Sequence, residues 1–319
     1  MMFTNNLEIR VFGLRRSGNH ALINWLGSQS PFKPHFFNCA PNDGGSPFLT
    51  GKKGGGFKGS DTGNIWYPHL SYKGSSKEEL ERVRNIHKEV LIYSYEELSL
   101  KKVANQEMPY NREDVIGKSK KRIDILILRD LCNWLASKII IPEHRRGEKY
   151  RENDNSSWQN LSHKRFEKNR KKLLFFNYFD GWEEDASVIR GLNWVNLPRT
   201  LNIWLQYAKE FLGETSILQN LITINYDKWV VNRVYRKNII DAVGFEFTDK
   251  GKNLVSRDGG GSTFQKYEMD ARKLNVFDRW EYLSSNKIFK DIIKYHVEHM
   301  KYNNIIFGEN SGITEWLNK

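Results

Sequence analysis

Cysteine is scarce in this chain: 319 residues contain two, Cys39 and Cys132. A disulfide framework is therefore excluded, and a reducing compartment such as the cytoplasm is expected. Neither cysteine has a partner at metal-ligand spacing, and no His-x-x-x-His pair stands beside an acidic residue. A metal site is not expected. Apolar runs are short, and none approaches the ~20 residues that a membrane-spanning helix needs. Met1 to Arg10 lacks the basic-then-apolar layout of a secretory signal and leads directly into a strand. Internal repeats and clear linkers are also missing, so one domain over residues 1–319 is expected. Disorder is not the default reading, because 39% apolar and 13% aromatic residues can build a packed core.

Positive charge is abundant. The formal net charge is +12, and much of the excess falls between Arg145 and Lys172. This composition admits phosphate-contacting nucleic-acid binding, a pocket for a polyanionic nucleotide with an acidic acceptor, or a solvated lysine-rich surface. Charge alone does not choose among them. Residues 42–63, rich in Gly, Ser and Lys, read as a loop, and the basic stretch at about 143–175 reads as an insert or lid.

Short β-branched runs alternate with helical patterns. Strands are expected at Ile9–Phe12, Pro34–Asn38, Val90–Tyr93, Ile123–Leu128 and Leu221–Ile224. Helical spacing covers Ala21, Leu22, Trp25 and Leu26, then Trp134, Leu135 and Ile139. A strong amphipathic helix carries Leu201, Trp204, Leu205, Ala208 and Phe211. Ser76-Lys77-Glu78-Glu79 forms a capping box, a helix follows the fifth strand, and one more is expected near Ile288 to His299. The pattern predicts an α/β, three-layer P-loop-like fold with a central, mostly parallel β-sheet flanked by helices. Ligands of such sheets lie beyond the carboxyl ends of the strands.

The turn Gly13-Leu14-Arg15-Arg16-Ser17-Gly18-Asn19-His20 has the Gly-x-x-x-x-Gly frame of a phosphate loop between a strand and a helix. Backbone N–H groups at a helix start converge on an anion there, aided by the helix dipole. ATPases continue the frame with Lys and Ser/Thr for phosphates and magnesium; Asn19 and His20 occupy those places here, and the cation stands at Arg16. That displacement argues against a magnesium-dependent P-loop kinase. Separately, Arg129 ends the strand Ile123–Leu128, and Ser137 follows eight residues later on a helix. Two helical turns bring such a serine back toward the strand end.

Arg16-Ser17-Gly18-Asn19-His20 resembles the (Lys/Arg)-Ser-Gly-Thr-Thr loop of sulfotransferases that use 3′-phosphoadenosine 5′-phosphosulfate (PAPS). Asn19-His20 departs from Thr-Thr, although both side chains can donate hydrogen bonds. The resemblance implies that Arg16 contacts the transferring sulfuryl group and bridging oxygen, with Arg15, Ser17, Gly18, Asn19, His20 and Ala21 completing the phosphosulfate loop. Arg129 and Ser137 match the family pair for the 3′-phosphate. Gly259 to Phe264 and Arg279-Trp280 resemble the segment that closes over the nucleotide. In that likeness Phe264 lies against the adenine and Arg279 approaches the 3′-phosphate. Asn225-Tyr226-Asp227 resembles a Tyr-Glu-Asp turn with a structural role.

In-line transfer of a sulfuryl group to a hydroxyl or amine needs a base and positive charge on the leaving oxygen. Two base candidates stand open. His35 lies in Lys33-Pro34-His35-Phe36-Phe37-Asn38, which resembles a Glu-Pro-His-Phe-Phe-Asp segment of glycan sulfotransferases, with Lys33 in place of the glutamate. Glu96 follows the third strand, where cytosolic relatives keep a catalytic histidine. The acceptor is not specified; an acidic or glycan acceptor suits the Gly-rich loop and basic arm. The rival expectation is a nucleic-acid or polyanion-binding protein using residues 145–172. It calls for aromatics among the basic residues, and Trp158, Phe166 and Phe175 are sparse. It also leaves Arg129 and Ser137 unexplained.

Overall fold

A computed structural model describes residues 3–37, 81, 84–105, 116–139, 197–255 and 270–318. The 42–63 loop, the 143–175 segment, the Ser76–Glu79 box and Phe264 lie outside the described residues.

The chain divides into two compact units. The first comprises Met1–Arg129, Ile203–Gly261 and Tyr267–Leu274; the second comprises Asp130–Asn202, Ser262–Lys266 and Asn275–Lys319. The first unit is built on a five-stranded, all-parallel sheet with order β2-β3-β1-β4-β5, where β1 is Asn5–Gly13, β2 His35–Phe37, β3 Lys88–Glu96, β4 Ser119–Leu128 and β5 Leu221–Asn225. Helices flank it, as the alternating pattern predicts for a three-layer α/β fold. The central strands carry continuous buried runs, such as Ile9 to Gly13 in β1 and Ile123 to Leu128 in β4. That is the signature of a sheet covered on both faces. Burying each of Ile9, Val11, Phe12, Ile125 and Leu126 contributes about 1.5–3 kcal/mol.

Two buried polar clusters of this interior are closed by their own partners. Arg10 and Asp124 face each other in register on β1 and β4 and form a two-pronged ion pair, with both N···O distances 2.6 Å. Glu8 is fully buried and accepts hydrogen bonds from Tyr93 Oη and Ser119 Oγ, each at 2.5 Å. Burial without these partners would cost several kcal/mol.

Helix α1 (Asn19–Gln29) follows β1. Its Trp25 indole donates to Asp249, which also receives both prongs of Arg236. Helix α2 (Leu100–Ala104) follows β3, and α3 (Leu131–Ile139) follows β4. In helix α4 (Leu197–Phe211), Tyr207 Oη donates to the Leu98 carbonyl and Trp204 Nε1 to the Arg129 carbonyl, both bonds lying within the first unit.

Two sequence expectations change here. The region after β5 is two helices, α5 (Tyr226–Val231) and α6 (Arg233–Val243), because Asn232 caps α6 by accepting from the Tyr235 amide. The expected helix at 288–299 is also two, α7 (Lys287–Tyr295) and α8 (Val297–Phe307), interrupted at His296, whose ψ of 55° is not helical. A final helix, α9 (Ser311–Asn318), completes the second unit. Apolar periodicity runs across both junctions and hides the breaks. No helix among the described residues is long and apolar enough to cross a membrane.

Candidate functional site

The chain leaves β1 toward β2 on one side of the sheet and leaves β4 toward β5 on the other. Strand order therefore reverses between β1 and β4, and open parallel sheets bind ligands at such a point, beyond the carboxyl ends. The residues there are the loop after Gly13 and Arg129 at the end of β4.

The loop is tightly wound. The Ser17 amide donates to the Leu14 carbonyl at 3.1 Å, and both Arg16 (φ 73°) and Gly18 (φ 89°) adopt the left-handed conformation. Arginine rarely occupies that region, at a cost of order 1–3 kcal/mol, and such strain clusters at functional positions. Gly18 caps α1 without any side-chain hydrogen bond. First-turn amides have no intrahelical acceptor, and helix starts of this kind can bind anions. Ser17 is fully buried, and its Oγ has no hydrogen-bond partner among the described residues; Asn19 is 5% exposed with Oδ1 in the same condition. Asn19 Nδ2 donates to the Leu14 carbonyl, holding the loop from inside. A buried hydroxyl with no partner costs about 1–3 kcal/mol, and a bound anion in the loop would remove that cost.

Arg129 is tied to this loop. It is 2% exposed, its Nη1 donates to the Arg16 carbonyl at 3.2 Å, and its guanidinium lies over the Tyr226 ring. Tyr226, given only a structural role in the sequence reading, is the residue that joins these parts. Its ring covers Gly18 so closely that a Cβ there would overlap it, and it stacks on Trp229, which meets Trp25 edge-on. Its position just after the strand end was legible in the sequence; its contacts with Gly18 and Arg129 were not. The opposite rim carries Glu96, which pairs in register with Gly13; Arg15 Nε reaches its Oε2 at 3.2 Å. His20 and Ala21 lie in the first turn of α1.

His35 lies elsewhere on the sheet. It is opposite Leu91, five residues before Glu96 on β3, or roughly 16 Å along the strand at ~3.3 Å per residue. Burial, with the charges of Lys88 and His87, pushes its pKa down to about 4.

The second unit holds the other predicted pair. Ser137 on α3 is 1% exposed, donates to the Asn133 carbonyl at 2.7 Å and accepts from Arg279 Nη1 at 3.0 Å. Arg279 is further held by its amide to Asn133 Oδ1 and its Nε to the Asn275 carbonyl. Asn133 is held in turn by the Asp130 carboxylate, which also accepts from Asn303. A hydroxyl and a guanidinium at this distance can share one phosphate oxygen set.

Fold and loop together define an α/β protein with an arginine-bearing loop at the switch point of a parallel sheet. No protein-family model matches the chain, and no curated protein matches its sequence.

Proposed function

We propose that the chain is a PAPS-dependent sulfotransferase acting on a hydroxyl or amine, in the cytoplasm or another reducing compartment. The observation that carries this reading is the loop itself: an uncapped helix start, a left-handed Arg16 and a buried Ser17 hydroxyl without a partner. These residues fit a phosphosulfate group. PAPS supplies an activated sulfuryl group on a phosphate leaving group.

In this reading the first-turn amides of α1 and Ser17 hold the 5′-phosphosulfate. Arg16, always cationic, stabilises charge on the oxygen that departs with the phosphate. Glu96 accepts the acceptor's proton as the new S–O or S–N bond forms and the S–O bond to phosphate breaks. We assign Glu96 this role over His35 because it stands level with Gly13, at the loop. The resemblance assigns Arg129, Ser137 and Arg279 to the 3′-phosphate. Arg129 belongs to the first unit and the Ser137–Arg279 pair to the second, so substitutions in each unit test the assignment separately.

The test is calorimetric titration with 3′,5′-bisphosphoadenosine, 5′-AMP and ATP–magnesium. The bisphosphate is expected to bind tightest. Arg129→Ala and Ser137→Ala are each expected to lose about tenfold or more of that preference, the size of a charge-assisted hydrogen bond. Equal binding of all three ligands overturns the reading. Steeply salt-dependent oligonucleotide binding would instead favour the polyanion-binding alternative.

A further inference from the structure

A chain of buried polar groups in the second unit fixes one guanidinium. It begins at Asp130, just before α3, and runs through Asn133 and Ser137 to Arg279, at the start of the 3-10 turn Arg279–Leu283. Asp130 Oδ1 accepts from the Asn133 amide at 2.8 Å and from its Nδ2 at 2.9 Å, which sets the orientation of the Asn133 side chain. Asn133 Oδ1 then accepts the main-chain amide of Arg279 at 2.8 Å. The Asn133 carbonyl accepts the Ser137 hydroxyl at 2.7 Å, the bond to the preceding helical turn that serines often make. Ser137 Oγ in turn accepts Arg279 Nη1 at 3.0 Å, while Arg279 Nε donates to the Asn275 carbonyl at 3.0 Å. None of Asp130, Asn133, Ser137 and Arg279 is more than 7% exposed.

Proton count separates the last two members of this chain. A serine hydroxyl has one proton to donate. That of Ser137 goes to the Asn133 carbonyl, so Ser137 meets Arg279 as an acceptor. A phosphate oxygen only accepts, and it needs a donor facing it. The guanidinium is the donor of the pair: it carries five N–H groups in a planar fork and a permanent charge. A fork matches a phosphate only in a fixed orientation, and Ser137 and Asn275 together supply that fixation.

We propose that Ser137 is a positioning residue for Arg279. It holds the guanidinium in one orientation, and the guanidinium delivers the hydrogen bonds and charge of the pair to a phosphate. Asn133 shares this role by pinning the Arg279 main chain and by taking the serine proton. The proposal rests on the nucleotide reading, in which the anion is the 3′-phosphate, and it makes Ser137 a support of that site in place of a ligand.

The experiment is a double-mutant cycle on the full-length protein, followed by calorimetry with 3′,5′-bisphosphoadenosine and 5′-AMP. The quantity read is the ratio of the two affinities. Because 5′-AMP lacks the 3′-phosphate, a general loss of structure lowers both affinities and leaves the ratio in place. Ser137→Ala is expected to lower the ratio about tenfold, and Arg279→Lys at least as far. The double variant should fall no further than Arg279→Lys alone, within the roughly twofold spread of additive behaviour. Arg279→Met with and without Ser137→Ala repeats the cycle in an uncharged background, should the lysine variant not fold. A further loss beyond that spread shows a separate serine contact and overturns the proposal while the nucleotide reading stands. An unchanged ratio in Ser137→Ala overturns it as well. Equal affinity of the parent protein for the two nucleotides overturns both the proposal and the reading.

Discussion

Arg129 rests over the ring of Tyr226, its guanidinium carbon 5.3 Å from the ring centroid, while the same ring covers Gly18 at the start of α1. One aromatic side chain thereby connects the end of β4 with the loop after β1. Arg129 completes the link by donating to the Arg16 carbonyl. The loop's left-handed arginine is braced by this contact.

Tyr226 should therefore act through its ring and not through its hydroxyl. Tyr226→Phe is expected to bind the bisphosphonucleotide like the parent. Tyr226→Leu should weaken binding about three- to thirtyfold, the range of a partly to fully desolvated cation–π contact. Calorimetry on both variants checks this, and equal losses in the two would show that the hydroxyl matters instead.

Gly18→Ala should damage both stability and binding. Its φ of 89° disfavours any side chain, and the added methyl would overlap the Tyr226 ring. A loss of about 1–3 kcal/mol is expected in urea unfolding. Nucleotide affinity should fall further than stability alone explains, because the ring must move away from Arg129.

The Arg10–Asp124 pair offers a test of the core. Asp124 is fully buried and also accepts from the Gln219 amide. Asp124→Ala strands a buried guanidinium and should cost about 3–5 kcal/mol. Arg10→Met combined with Asp124→Leu should recover most of that loss, measured by the urea midpoint.

Stability should fall as the solution is acidified. His35 and His296 both have pKa values lowered from 6.5 to about 4, chiefly by burial, with Lys88 and His87 adding to the first and His299 to the second. Unfolded histidines take up protons near pH 6.5, whereas the folded ones resist until about pH 4. The unfolded state therefore binds more protons across that window, and stability is lost as pH drops through it. Carboxylates titrate in the same range, so the diagnostic quantity is a difference. The His35→Gln, His296→Gln variant should lose less stability than the parent between pH 6.5 and 4, read from urea midpoints.

Much of the sheet was legible because it is recorded in local chemistry. Ile123 to Leu128 reads as the clearest strand of the sequence, and the observed β4 adds just the polar lead-in from Ser119. The loop Gly13 to Gly18 announced itself by its frame, and Arg129 and Ser137 by their spacing around one strand end. The helix breaks at Asn232 and His296 were not legible, since apolar periodicity continues through each and the interruption depends on a cap. Glu96 and His35 had equal standing in sequence. Strand register separates them, because it sets Glu96 opposite Gly13 and His35 opposite Leu91.

The amino-acid sequence by itself determined the layer architecture, the phosphate-loop frame and the expectation of an anionic ligand, since periodicity, glycine placement and charge act over a few residues. Only the tertiary structure decided that Tyr226 braces Arg129 and that the Ser17 hydroxyl is buried without a partner among the described residues. Tyr226 stands 97 positions from Arg129 and 208 from Gly18, and chain folding sets such distances where local preference has no reach.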